Sequence, residues 1–105
     1  MIEFDKLSRE TPYSVFKDKY DESLKAKQEN IEAICISSYL PEKKEVNARY
    51  VNLKFIINKD FIFFSNYNSP KSQEFNTHDQ ISALFYWSST NVQIRIKAHI
   101  KKTSN

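Results

Sequence analysis

A chain of 105 residues has room for one modest hydrophobic core, so residues 1–105 are expected to form a single domain with little stability to spare. The charged fraction of 28% and hydrophobic fraction of 40% suit a soluble globular protein, and no apolar run approaches the roughly 20 residues of a membrane span. The net charge of +3 permits an anionic ligand without requiring a nucleic acid, and the lone Cys35, with no metal-ligand spacing around it, argues against both disulfide and metal chemistry.

Glycine is absent, which excludes dinucleotide folds and P-loops, since both use it to bring backbone against phosphate. The start, Met1-Ile2-Glu3-Phe4-Asp5, has neither the basic opening nor the apolar middle of a secretory signal. A cytoplasmic protein is expected.

In chain order, the first element is a helix. Thr11 is a suitable N-cap, Pro12 fits the first helical position, and Phe16, Tyr20 and Leu24 recur every four residues to form a packing face. Lys17, Asp18, Asp21, Glu22 and Lys25 form the wetted side. A strand follows from Glu32 to Leu40, rich in β-branched residues, and Pro41 to Lys44 ends it. A second strand spans about Val46 to Ile57, and Asn58-Lys59-Asp60 turns it into a third, Phe61 to Ser65, making a hairpin. Asn66 to Ser69 reads as a loop and Pro70 to about Thr77 as a short helix capped by Ser69. Two further strands, Gln80 to Trp87 and Asn91 to Lys101, join through Ser88-Ser89-Thr90. In the last, Val92, Ile94, Ile96, Ala98 and Ile100 alternate with Gln93, Arg95, Lys97, His99 and Lys101, one face for the core and one for water.

Five strands with connections too short for parallel crossovers predict a mostly β, α+β domain, largely antiparallel and barrel-like. Five need not close a barrel, so an open edge is expected.

Several segments stand in a telling order: Arg49-Tyr50-Val51-Asn52-Leu53-Lys54, then Phe63-Phe64-Ser65-Asn66, Ser69-Pro70-Lys71, Leu84-Phe85-Tyr86-Trp87 and Val92-Gln93-Ile94. In that order and spacing they resemble the N-terminal half of the pyridoxamine-phosphate oxidase family, from about Pro12 to about Ile100. The resemblance implies an antiparallel FMN-binding split β-barrel, here truncated, with an N-terminal helix and a short helix between strands. It also implies a homodimer with FMN at its interface.

Carried over residue by residue, the resemblance assigns FMN contacts to Arg49, Tyr50, Val51, Asn52, Leu53 and Lys54, to Phe64 and Ser65, to Lys71, and to Gln93. Lys54 would also meet the substrate. A guanidinium can fork onto phosphate oxygens, and a lysine adds a mobile point charge. Arg49 and Lys54 are five residues apart and point to opposite faces of a regular strand, so one flavin reaches both only across a strand end, a bulge or a subunit boundary. Relatives carry Ser-Arg-Lys where this chain has Ser69-Pro70-Lys71, and an arginine where it has Val92. Pro70 removes one charge-assisted contact, so FMN binding is expected to be roughly ten- to a hundredfold weaker than in a complete relative.

The implied reaction is oxidation of pyridoxamine or pyridoxine 5′-phosphate to pyridoxal 5′-phosphate, with dioxygen reduced to hydrogen peroxide. No side chain is singled out as catalytic. The motifs that relatives carry in their C-terminal portion are missing, so loss of turnover through truncation is an open outcome. Trp87 and Phe63 read as core residues, Cys35 as a small buried hydrophobe, and His78 and His99 as surface residues. An alternative from a different class is a small basic β-domain that binds single-stranded nucleic acid, stacking bases on Tyr67, Phe85, Tyr86 and Trp87. It rests on composition alone; the favoured reading expects a vitamin B6 phosphate as partner and neither nucleic acid nor membrane.

Overall fold

The computed structural model describes residues 1–64 and 80–101. In chain order the elements are β1 (Glu3–Asp5), α1 (Thr11–Lys25), β2 (Ala33–Leu40), β3 (Glu45–Ile57), β4 (Asp60–Phe63), β5 (Gln80–Trp87) and β6 (Val92–His99). The short helix expected over Pro70 to Thr77 lies outside the described residues.

The helix begins one residue earlier than its composition suggests. Glu10, not Thr11, is the N-cap; its backbone is extended and no side chain caps the helix. Instead the Glu10 carbonyl accepts from the Tyr13 and Ser14 N–H groups at 3.0 and 3.1 Å. Pro12 fits because its missing N–H falls in the first turn, where no helical partner exists for it. At the other end Lys27 takes the left-handed conformation at φ 59°. Its N–H donates to Leu24 O and that of Gln28 to Ser23 O, both at 3.0 Å, which is the paired closure usually built on glycine. In a chain without glycine, left-handed positions fall to Lys6, Lys27, Asn30, Lys44, Asn58 and Asn91. Asparagine tolerates them; a lysine there carries strain.

Strand β3 organises the sheet. Its first eight residues pair antiparallel with β2, Glu45 to Asn52 against Leu40 to Ala33. Its last five run between β4, antiparallel, and β1, parallel. Beyond β2 come β5 and β6, both antiparallel to their neighbours, giving the order β1-β3-β2-β5-β6. The register against β4 shifts between Leu53 and Phe55, so Lys54 sits in a bulge that re-aims the strand as it passes from one set of partners to the other.

The hairpin and all five expected strands are present, with β5 at the expected bounds. A sixth, β1, was not anticipated, and it makes the sheet mixed: three residues are too few to show alternation.

One face of the sheet is the core. Helix α1 lays Phe16 and Tyr20 against Phe85 and Trp87 of β5, with ring centroids 5.4 Å apart for Phe16–Phe85, 5.7 Å for Phe16–Trp87 and 5.9 Å for Tyr20–Trp87. Phe4 and Phe61 extend the cluster. Ile2, Ile31, Ile34, Ile36, Leu53, Ile56 and Ala83 complete the buried set among the described residues. Polar groups in this core are paired: Trp87 Nε1–H donates to Ile31 O at 3.0 Å, and the Ile2 N–H donates to Tyr20 Oη at 2.9 Å. Burial of this aromatic set is the main source of stability in so small a chain, since each large ring removes well over 100 Å² from water.

Two expectations are corrected here. Phe85 and Trp87 are 0% and 1% exposed, so neither stacks a nucleic-acid base. Cys35 is half-buried and lies opposite Tyr50 and Leu84, on the outer face rather than among the core residues. Ile34 and Ile36 take the core positions on either side of it, as strand alternation requires.

Candidate functional site

The pairing register sorts the candidate residues by face. Arg49 pairs with the buried Ile36, and Val51 with the buried Ile34, so both share the core side of the sheet; Arg49, near its rim, is half-buried. Leu53 is fully buried, and its backbone N–H donates to Glu32 O at 2.8 Å. Tyr50, Asn52 and Lys54 are exposed on the outer face. Arg49 and Lys54 thus do point to opposite sides, and the bulge beside Lys54 is the local irregularity that such a site requires.

Next to this segment the hairpin brings Phe63 opposite Leu53. Phe64 therefore leaves β4 alongside Asn52, Leu53 and Lys54. Its ring is 62% exposed and meets Phe55 edge-on at 6.3 Å. An exposed aromatic, an amide and an ammonium with no ion pair among the described residues lie together where β3 changes partners. Ser65 and Lys71, the remaining candidates from this region, lie outside the described residues, as do Tyr67 and His78.

Gln93 is exposed on β6 opposite Tyr86. It shares the outer face with Tyr50, Asn52 and Lys54, but β2 and β5 intervene, so it lies roughly 14 Å from β3 at the usual strand spacing. The structure brings together Tyr50, Asn52, Lys54 and Phe64, sets Gln93 farther along the same face, and turns Arg49 and Val51 to the other side.

Other residues of this face were not singled out from sequence as ligand candidates. Arg95 closes the transverse row Tyr50–Cys35–Leu84–Arg95, and Lys97 closes the row Ala48–Ser37–Ser82–Lys97. The alternation of β6 already placed Arg95 and Lys97 beside Gln93; only the topology shows which strands share their face. No position of the outer face from β3 to β6 is Asp or Glu. Lys54, Arg95 and Lys97 form no ion pair among the described residues. A face without carboxylates on these strands, with exposed rings and cations unpaired among the described residues, suits an anionic ligand with a flat ring system.

Fold and site together define a split β-barrel whose long central strand presents a cation-and-ring surface beside a bulge. No family model matches the chain. Curated relatives do: it is 33% identical over 93 residues to the pyridoxine/pyridoxamine 5′-phosphate oxidase of Trichormus variabilis, covering 89% of this chain and 43% of that protein. The enzymes of the same name from Burkholderia lata and Nostoc punctiforme are 32% identical over the same shares. Among solved structures, PhzG from Burkholderia lata 383, in complex with tetrahydrophenazine-1-carboxylic acid, superposes with a TM-score of 0.77 at 22% identity, over 84% of this chain and 43% of that one. The chain is a relative of the pyridoxine/pyridoxamine 5′-phosphate oxidases, with their split-barrel fold, and it spans less than half the length of the curated relatives it matches.

Proposed function

We propose that this protein binds FMN as a split-barrel flavoprotein of the pyridoxamine-phosphate oxidase type. The observation that carries the reading is the segment Arg49 to Lys54: it stands at the crossing of β3 between its two sets of partners, with Lys54 in no ion pair among the described residues and Phe64 exposed beside it. Cations and donors at that crossing hold the phosphate and ribityl chain, with Ser65 and Lys71 adding to them. Tyr50, Phe64 and the backbone of Val51 to Leu53 border the ring, and Gln93 approaches it from β6. A second copy of the chain supplies the opposite wall, so the working unit is a homodimer with flavin between copies, acting in the cytoplasm.

Bound FMN would supply two-electron redox chemistry, taking a hydride equivalent from pyridoxamine or pyridoxine 5′-phosphate and passing electrons to dioxygen to give hydrogen peroxide. The chain's own residues bind, orient and neutralise charge, and Lys54 would also meet the substrate phosphate. The substrate and the turnover are proposed from the relatives, which are more than twice as long.

The test is the visible absorption spectrum of the purified protein after addition of FMN and removal of the excess, with the cofactor identified after denaturation and the mass measured by light scattering. Retained flavin at about one per chain in a dimer supports the reading. A folded protein that keeps none contradicts it.

A further inference from the structure

We infer that the outer face of the β3–β2–β5–β6 sheet, in the flavin-free chain, binds single-stranded nucleic acid across its strands. The inference does not rest on the flavin reading, although the two ligands would share Tyr50 and Gln93 and so exclude one another.

The first observation is charge. From Val46, Ala48, Tyr50 and Asn52 on β3, through Ala33 to Tyr39 on β2 and Gln80 to Tyr86 on β5, to Gln93, Arg95, Lys97 and His99 on β6, this face carries no carboxylate. Arg95 and Lys97, with Lys54 at the far side, have no acidic partner among the described residues. On β6 the two cations Arg95 and Lys97 stand two residues apart, about 6.8 Å, and Lys54 lies across the sheet on β3, so phosphates of a strand crossing the sheet can meet cations at both sides.

The second observation is the exposure of flat rings on the same face. Tyr50 is 75% and Tyr86 53% exposed, and they come from different strands, as on sheet surfaces that stack successive bases. The stacking groups are therefore Tyr50 and Tyr86, not the buried Phe85 and Trp87. Gln93 and Asn52 add amides able to meet base edges without imposing a sequence.

The competing occupant is a second copy of the chain. Packing this face on itself without an anion would bury Lys54, Arg95 and Lys97 of both copies with no carboxylate from the described strands of the face to pair them, which removes charged groups from water without compensation. A polyanion supplies the missing charge and releases counterions as it binds.

The test uses the full flavin-free chain and a fluorescein-labelled twelve-nucleotide oligothymidylate, read by anisotropy. Saturable binding is expected at 50 mM salt with Kd in the range of roughly 1–100 µM, weakening about 20-fold at 200 mM salt for three phosphate contacts. Arg95→Ala with Lys97→Ala should flatten the salt dependence. Tyr50→Ala and Tyr86→Ala should each weaken binding at least about fivefold while leaving the salt slope unchanged. Circular dichroism of these surface variants verifies that they fold. The inference is overturned by no saturable binding at 50 mM salt, by equal binding to dextran sulfate with no effect of the tyrosine changes, or by a flavin-free dimer that Tyr50→Arg converts to monomer.

Discussion

Arg49 and Gln93 face opposite sides of one sheet: Arg49 stands opposite the buried Ile36, Gln93 opposite the exposed Tyr86. A ligand lying flat on one face of a single chain meets one side chain or the other. To meet both it must wrap the rim of β3 or lie between two chains. In the flavin reading, Arg49 grips from the rim at the phosphate end, and Gln93 approaches the ring from the outer face.

That division separates the effects of two substitutions. Arg49→Ala should weaken FMN binding about ten- to a hundredfold, the usual worth of a charge-assisted contact, and should leave riboflavin, which has no phosphate, unaffected. Gln93→Ala should weaken both flavins alike and by less, about tenfold or under. Fluorescence titration of the two flavins against the two variants measures this. Equal losses of FMN and riboflavin in Arg49→Ala would remove Arg49 from the phosphate.

Helix α1 and the segment that follows it are stitched to the β5–β6 hairpin by three contacts. Trp87 Nε1–H donates to Ile31 O at 3.0 Å, Ser23 Oγ meets Thr90 Oγ1 at 2.7 Å, and the Ser89 N–H donates to Gln28 Oε1 at 2.7 Å. Trp87→Phe should cost about 2–3 kcal/mol, through an orphaned buried carbonyl and a partial void. Ser23→Ala should cost about 1 kcal/mol. Against a total stability of about 5–15 kcal/mol the first is severe, and urea unfolding monitored by circular dichroism resolves both.

Lys27 closes α1 in a left-handed conformation that glycine adopts without strain. Lys27→Gly should stabilise the protein by about 0.5–1 kcal/mol, after allowance for the greater freedom of glycine in the unfolded chain. At this chain size that is a rise of roughly 2–6 °C in Tm. A fall in Tm would show that the lysine side chain contributes a contact outweighing the strain.

Lys59 Nζ lies 2.8 Å from Glu10 Oε2 and ties the β3–β4 turn to the start of α1. The hydrogen bond to Glu10, and then its negative charge, hold the Lys59 pKa above its ordinary value. A raised lysine pKa means that the pair's contribution is complete below the ordinary lysine value and is lost as pH rises through the raised one. Glu10→Gln should return the Lys59 midpoint toward the ordinary value in an NMR titration. Because the pair is solvent-exposed, stability at neutral pH should change little.

Much of this architecture is written in local patterns. The alternation of β6, the Asn58 turn between β3 and β4, the bounds of β5 and the Phe16–Tyr20 face of α1 follow from periodicity and turn chemistry, and the split between Arg49 and Lys54 follows from strand parity. What escaped has physical reasons. Strand β1 is too short to show a period and exists because β3 offers it a parallel edge. Cys35 sits in an apolar run in which only tertiary packing tells inner from outer positions. Lysine at left-handed sites gives no signal, since the residue that normally marks them is absent from the chain. The outer face as a unit was hidden because its residues come from four strands whose order in the sheet, β3-β2-β5-β6, differs from their order in sequence.

The most direct test of the account is a titration of FMN into the dilute, flavin-free protein, followed by flavin fluorescence polarisation, with riboflavin run in parallel. Saturable FMN binding at one per chain is expected, with riboflavin at least about tenfold weaker because it lacks the phosphate. No saturable FMN binding by the folded chain, or equal affinity for the two flavins, would contradict it.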